Sequence, residues 1–207
     1  ISGWDLSWRK GFDVGFIRTP WGEGHFLEGA GLGLFPHAIS AAYAPEVQIE
    51  QDDPEAELTA AFRFIGKCVQ EHSSSTYSIC LDGVDLSGEY LLVEVVNTDW
   101  IGPSLHLGSG ADPCDGLLDL VLAEPDKRDA LRQYLEKRGP GSTHLPPVSI
   151  RRGKRIEIRW AGAKLHVDDE IWPEENAEPN QAPAAESSEH LTIEVKPGAL
   201  EFLIPAQ

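Results

Sequence analysis

TYSICLDGVDLSGEYLLVEVVN, residues 76–97, holds two β-forming runs, 76–81 and 89–97, on either side of an Asp82-Gly83 turn. Aromatic and β-branched residues suit a pleated, half-buried surface, and Asp-Gly is a turn signal, so the stretch reads as neighbouring antiparallel strands. Upstream, Leu58, Ala61, Phe62, Ile65, Cys68 and Val69 recur at three- and four-residue steps. With Asp52 and Asp53 ahead of Pro54, they predict a helix over 54–72. Further upstream, GEGHFLEGAGLGLFP, 22–36, reads as a short apolar strand entering a glycine-dense turn.

Downstream, the turn-rich 108–116 leads to the apolar run 117–123 and then to a second helix over 126–138, carried by Ala130, Leu131, Tyr134 and Leu135. Alternation resumes over 148–160 and 164–167, and 191–204 reads as a terminal hairpin across Lys196-Pro197-Gly198. Most strands follow one another without an intervening helix, which favours antiparallel layers over a parallel, doubly wound sheet. The expected fold is mainly β with two helices (α+β). Residues 173–189 combine five glutamates with three prolines and no basic residue, the composition of a flexible acidic insertion.

The 207 residues suffice for one domain with its own core. A net charge of −17 disfavours nucleic acid, whose phosphates need clustered Lys and Arg. The basic stretch Arg151-Arg152-Gly153-Lys154-Arg155 overlaps an alternating strand and reads as its solvated face. Cys68, Cys80 and Cys114 include no CxxC pair, so a disulfide framework and a cysteine zinc site are both disfavoured and a cytoplasmic home is expected. The seven histidines, His166 among them, lack HExxH spacing, and neither GxSxG nor a P-loop occurs.

Two stretches can carry chemistry. In GSGADPCDGLLD, 108–119, acidic side chains and free carbonyls on a tight turn are the oxygen ligands that Mg²⁺ or Ca²⁺ prefers, with Asp115 the leading ligand. The same residues also suit a turn in which Asp112 and Asp115 bond nearby backbone amides. In LHVDDEIW, 165–172, Asp168 and Glu170 share a side if the chain is extended, and paired carboxylates can tune one of them into a general base for a hydroxyl. An exposed acidic turn is the competing reading.

Taken in order, EGAGLGLF (28–35), LLVEVVN (91–97), Gly102-Pro103, ADPCDGLLDLV (111–121) and VDDE (167–170) resemble the bacterial diacylglycerol kinase-like lipid kinases, kin of the sphingosine kinases. The resemblance implies the antiparallel, β-sandwich-like C-terminal domain of a two-domain fold shared with NAD kinases. The N-terminal nucleotide-binding domain, which would hold the co-substrate ATP, is not matched within 1–207, and the absence of Met suggests a fragment. The resemblance further implies a structural Mg²⁺ on the Asp115 side chain and the carbonyls of Asp112 and Leu117. It makes Asp168 the general base for a lipid hydroxyl and Glu170 its partner, with Asp169 standing where the family has glycine. The implied partners are a diacylglycerol- or sphingoid-like lipid and the nucleotide-binding domain, with peripheral membrane contact and a homodimer both compatible. On this view the chain alone is inactive. A non-catalytic lipid-binding module and an NAD-kinase-like relative stay open.

Overall fold

The computed structural model describes residues 9–44, 53–102, 104–138, 144–159, 162–173 and 190–203. The acidic stretch 174–189, Asp52, Pro103 and Trp160 lie outside them. In chain order the first elements are β1 (Arg9–Thr19), β2 (Gly22–Phe26), β3 (Gly29–Gly33), α1 (Leu34–Ala42) and α2 (Pro54–Glu71). Then come β4 (Ser75–Tyr77), β5 (Ile79–Leu81), β6 (Val84–Asp85), β7 (Gly88–Tyr90), β8 (Leu92–Val96), β9 (Trp100–Ile101) and β10 (Leu105–His106). β11 (Leu118–Ala123), α3 (Arg128–Glu136), β12 (Ser149–Gly153), β13 (Arg155–Arg159), β14 (Leu165–Val167), β15 (Glu170–Trp172) and β16 (His190–Leu203) complete the order.

Two six-stranded antiparallel sheets face each other, ordered β2-β1-β16-β13-β5-β6 and β12-β11-β8-β3-β14-β15. The side-chain period of two decides what each strand contributes. On β8, Val93 and Val95 enter the space between the sheets with Ile156, Ile158 and Ile193. Leu92 and Val96 leave on the other face, beneath Phe62, Ile65, Leu131 and Leu135 of α2 and α3. A strand covered on both faces needs a continuous apolar run, which explains why β8 and β11 show little alternation. The result is three layers: sheet, sheet, helices.

The glycine-dense segment is not a turn, as its composition suggested, but the central strand β3. Its glycines fall at every second position. Ala30 and Leu32 point into the sandwich, while Gly29, Gly31 and Gly33 pair with Val96, Glu94 and Leu92 on the helix-facing side. Missing side chains there make room for a neighbour: a Cβ on Gly31 would stand 2.0 Å from Glu94 Oε2 and 2.6 Å from the Val93 carbonyl.

Both expected helices are present, α2 capped by Asp53, whose Oδ2 accepts from the Ala56 N–H at 3.0 Å. A third helix, α1, was not anticipated. It starts directly from β3 through Gly33 (φ 87°) and carries Pro36 in its first turn, where a missing N–H costs nothing. The expected C-terminal hairpin is instead the single strand β16. It pairs with β1 along its length, the register shifting between Phe12 and Val14, so the Pro-Gly insert is absorbed as a bulge. The two runs of 76–97 pair only through β4 and β7; beyond them β5 and β8 enter opposite sheets. No helix among the described residues is long and apolar enough to cross a membrane.

Candidate functional site

Between α1, α2 and the helix-facing side of the second sheet lies a pocket of about 500 Å³. Phe35, Ile39, Phe64, Ile65, Ile101 and Leu105 make its walls chiefly apolar. Its polar side chains are Glu28, Tyr43, Glu94, His166, Asp168 and Asp169. A largely apolar cavity with a few convergent polar groups is the usual form of a small-molecule site.

Asp168 and Asp169 form the two-residue turn between β14 and β15, in which Val167 pairs with Glu170. The left-handed backbone falls on Asp168, φ 49°, and not on Asp169, so aspartate at the middle position introduces no backbone strain. The Asp168 carboxylate is a clamp: Oδ1 accepts from the N–H groups of Glu28 (2.9 Å) and Gly29 (3.1 Å), and Oδ2 from Leu27 (3.1 Å). Its own N–H donates to the Gly29 carbonyl at 2.8 Å. Of a carboxylate's four lone-pair directions these bonds use three. Glu170 is exposed and accepts from Trp172 Nε1 at 3.3 Å. Asp169, rather than Glu170, lines the pocket with Asp168.

The 112–117 loop lies away from the pocket lining. Asp112 Oδ1 accepts from the Cys114 N–H at 3.0 Å, Asp115 Oδ1 from Leu117 at 2.9 Å, and the Asp112 carbonyl from Asp115 at 3.2 Å. These are two successive side-chain-capped turns. Asp115 Oδ2 lies 3.9 Å from the Arg152 guanidinium, which donates to Asp119 at 2.9 Å. Among the described residues no cluster of three His, Cys, Asp or Glu could hold a metal. One carboxylate oxygen with two carbonyls is nonetheless an all-oxygen set, which Mg²⁺ completes with water.

Two residues that the sequence reading passed over tie these loops together. Asp13, 2% exposed, accepts from the Gly116 and Gly198 N–H groups, each at 2.7 Å. Asn97 Nδ2 then donates to the carbonyls of Asp13 (2.9 Å) and Leu27 (3.2 Å), joining the 112–117 loop to the turn that Asp168 clamps.

A second omission is the buried pair Glu94–His166. Gly31 lies between them across the sheet, paired with Glu94 on one side and His166 on the other. Over that gap His166 Nε2 meets Glu94 Oε2 at 2.9 Å. Burial pushes the Glu94 carboxyl up. Burial pulls His166 down, but the Glu94 charge and hydrogen bond outweigh it, and the net shift is upward. A raised imidazole holds its proton to higher pH in the folded chain than in the unfolded one. The contribution from the His166 proton is therefore complete below about pH 6.5 and lost as pH rises through the raised folded value, by at most about 1.4 kcal/mol per pH unit. In thermal melts the advantage of wild type over Glu94→Gln should be largest at mildly acidic pH and shrink toward alkaline pH. An advantage independent of pH would contradict this.

A family profile described as the YegS C-terminal NAD kinase beta sandwich-like domain matches residues 39–204. The chain belongs to this family. Diacylglycerol kinases from two strains of Mycobacterium tuberculosis are each 29% identical to this YegS-type domain over 111 residues, covering 53% of it and 36% of their own length. The domain thus matches little more than a third of those relatives. A solved diacylglycerol kinase from Bacillus anthracis str. Sterne superposes with a TM-score of 0.60 at 20% identity, covering 94% of the domain and 57% of that chain. The likeness shows a common fold, mainly β with antiparallel sheets.

Proposed function

We propose that this domain forms the lipid-accepting side of an ATP-dependent lipid kinase that transfers the γ-phosphate to a lipid hydroxyl. The observation that carries the reading is the apolar pocket with Asp168 and Asp169 at its polar end. Phosphoryl transfer depends on alignment and charge neutralisation more than on covalent chemistry, so an acceptor hydroxyl must be held and relieved of its proton. The pocket supplies the hold, its walls taking the acyl chains. Asp168 supplies the base: three backbone N–H groups fix its carboxylate, and the remaining lone pair on Oδ2 can accept the hydroxyl proton. Glu170, two residues on, adds negative charge near the turn. ATP is the proposed donor, held by a nucleotide-binding domain outside residues 1–207.

Asp115, with the carbonyls of Asp112 and Leu117, is proposed to hold Mg²⁺. There the ion would neutralise the carboxylate and brace the loop that Asp13 and Asn97 connect to the Asp168 turn. A site filled to about 100 times its Kd adds roughly 2.7 kcal/mol, or about 5–10 °C in a domain of this size. Melting should rise accordingly in millimolar Mg²⁺ and stay flat for Asp115→Asn; an equal rise in both would exclude Asp115 as ligand.

One observation favours a non-catalytic lipid-binding module instead, namely that Asp168 already spends both oxygens on the 27–29 backbone. The apolar walls fit a lipid better than the nicotinamide nucleotide of an NAD-kinase-like relative. Labelled ATP offered with diacylglycerols, ceramides and sphingosines to the chain joined to its nucleotide-binding domain should put label into a lipid. Lipid binding without label would select the non-catalytic module, and label in a nicotinamide nucleotide would select the third reading.

A further inference from the structure

One wall of the pocket is held differently from the rest. β9 and β10 pair with each other, Ile101 with Leu105 and Trp100 with His106, and join neither six-stranded sheet. Ile101 and Leu105 turn inward to line the pocket, and Gly102 lines it from the tip. A two-stranded ribbon outside any larger ladder has little stability of its own, so its ties to the surrounding elements fix this wall.

Those ties lie on two sides. On the α3 side, Tyr134 Oη donates to the His106 carbonyl at 2.6 Å and Arg138 to the Ser104 carbonyl at 3.3 Å. The Arg138 guanidinium also lies 5.1 Å from the centre of the Trp100 ring, itself stacked on His106. On the sheet side, Glu28 Oε2 accepts from the Gly102 N–H at 2.9 Å, and Glu28 lines the pocket too. The tip between them is strained: Ser104 takes φ 62°, a left-handed conformation that a non-glycine residue keeps only when its surroundings hold it there. Glu28 is placed for this by its own backbone, whose N–H donates to Asp168 Oδ1 and whose carbonyl accepts from the Asn97 N–H, each at 2.9 Å. The side chain therefore reaches the ribbon from a fixed point, and truncating it leaves the Asp168 clamp intact.

We propose that the β9–β10 ribbon is the gate of this pocket and that Glu28 is its latch, a positioning residue that sets how fast a lipid enters and leaves. The inference rests on the reading of this pocket as the lipid site. An occupant behind Ile101 and Leu105 exchanges with solvent only while the ribbon is lifted, so entry and exit both scale with the open fraction. Weakening the latch multiplies that small fraction, and both rates with it. Because the closed state still dominates, the ratio of the rates, the affinity, stays as it was. The net worth of one hydrogen bond puts the factor at about three- to tenfold.

The test is surface plasmon resonance of dioctanoylglycerol on the immobilised 207-residue chain, beside hydrogen exchange of the same chain in solution. In Glu28→Ala the association and dissociation rates should each rise about three- to tenfold, with Kd within about twofold of wild type. The amides of Ile101, Gly102, Leu105 and His106 should exchange faster by a similar factor. Glu28→Gln keeps an acceptor oxygen on the same stem and should return rates and exchange close to wild type. Unchanged rates in Glu28→Ala overturn the inference. So does faster release alone with a matching loss of affinity, which would make Glu28 a contact of the lipid. Faster exchange spread over α2 and β11 also overturns it, since Glu28 would then be a prop of the whole fold. Each of these results leaves the lipid pocket standing. Failure of wild type to bind dioctanoylglycerol overturns the pocket reading and the inference with it.

Discussion

Gly31→Ala is expected to destabilise the chain by about 3 kcal/mol or more, the upper range for single substitutions that overpack a core. The added methyl would stand 2.0 Å from Glu94 Oε2 and 2.6 Å from the Val93 carbonyl, and the second obstacle is backbone at the centre of a sheet. Neither can withdraw cheaply, because Glu94 is held by His166 and Val93 by both neighbouring strands. Chemical denaturation should show a large drop in midpoint or no folded baseline. Gly83→Ala, at a turn where nothing lies within 4 Å of the new methyl but φ is +85°, should cost only about 1 kcal/mol. Comparable losses in the two variants would mean that the space opposite Glu94 is not what fixes glycine at position 31.

Asp168→Asn should lower kinase turnover in the protein joined to its nucleotide-binding domain by about 10²–10⁴-fold, the range for loss of a positioned general base. The same change has a structural cost. An amide can still accept through its oxygen, but its NH₂ would face one of the three N–H groups that the carboxylate now satisfies. That mismatch should cost about 1–3 kcal/mol. Turnover is therefore read well below the variant's melting temperature, where the folded fraction is intact. Turnover within a few-fold of wild type, with the stability loss present, would leave Asp168 as a clamp only and favour the non-catalytic module.

What was legible in the sequence follows from which physical signals are local. α2 announced itself through apolar spacing and an Asp-Pro start, and both cap and helix are where that pattern puts them. The antiparallel, mainly β architecture followed from strands succeeding one another without helices. The glycine run misled because glycine is usually a turn signal. Its period of two was present in GAGLG, yet its meaning depends on Glu94, more than sixty positions downstream in the chain. Glu94 itself stood out in principle as one charge inside an otherwise apolar run, but its partner His166 adjoins it only across a third strand. Asp13 and Asn97 act through backbone groups of distant loops, and such bonds leave no local pattern. Asp168 was visible as part of an acidic triplet, whereas its grip on the 27–29 backbone required the fold.

Photo-crosslinking with a diazirine-bearing diacylglycerol tests most directly whether the acceptor lipid enters between α1, α2 and the second sheet. After illumination and proteolysis, adducts are expected on peptides containing Phe35 and Ile39 of α1 and Phe64 and Ile65 of α2, competed away by unlabelled diacylglycerol. Adducts confined to the exposed apolar residues Leu200, Phe202 and Leu203 at the far end of β16, or adducts that unlabelled lipid does not displace, would contradict the account.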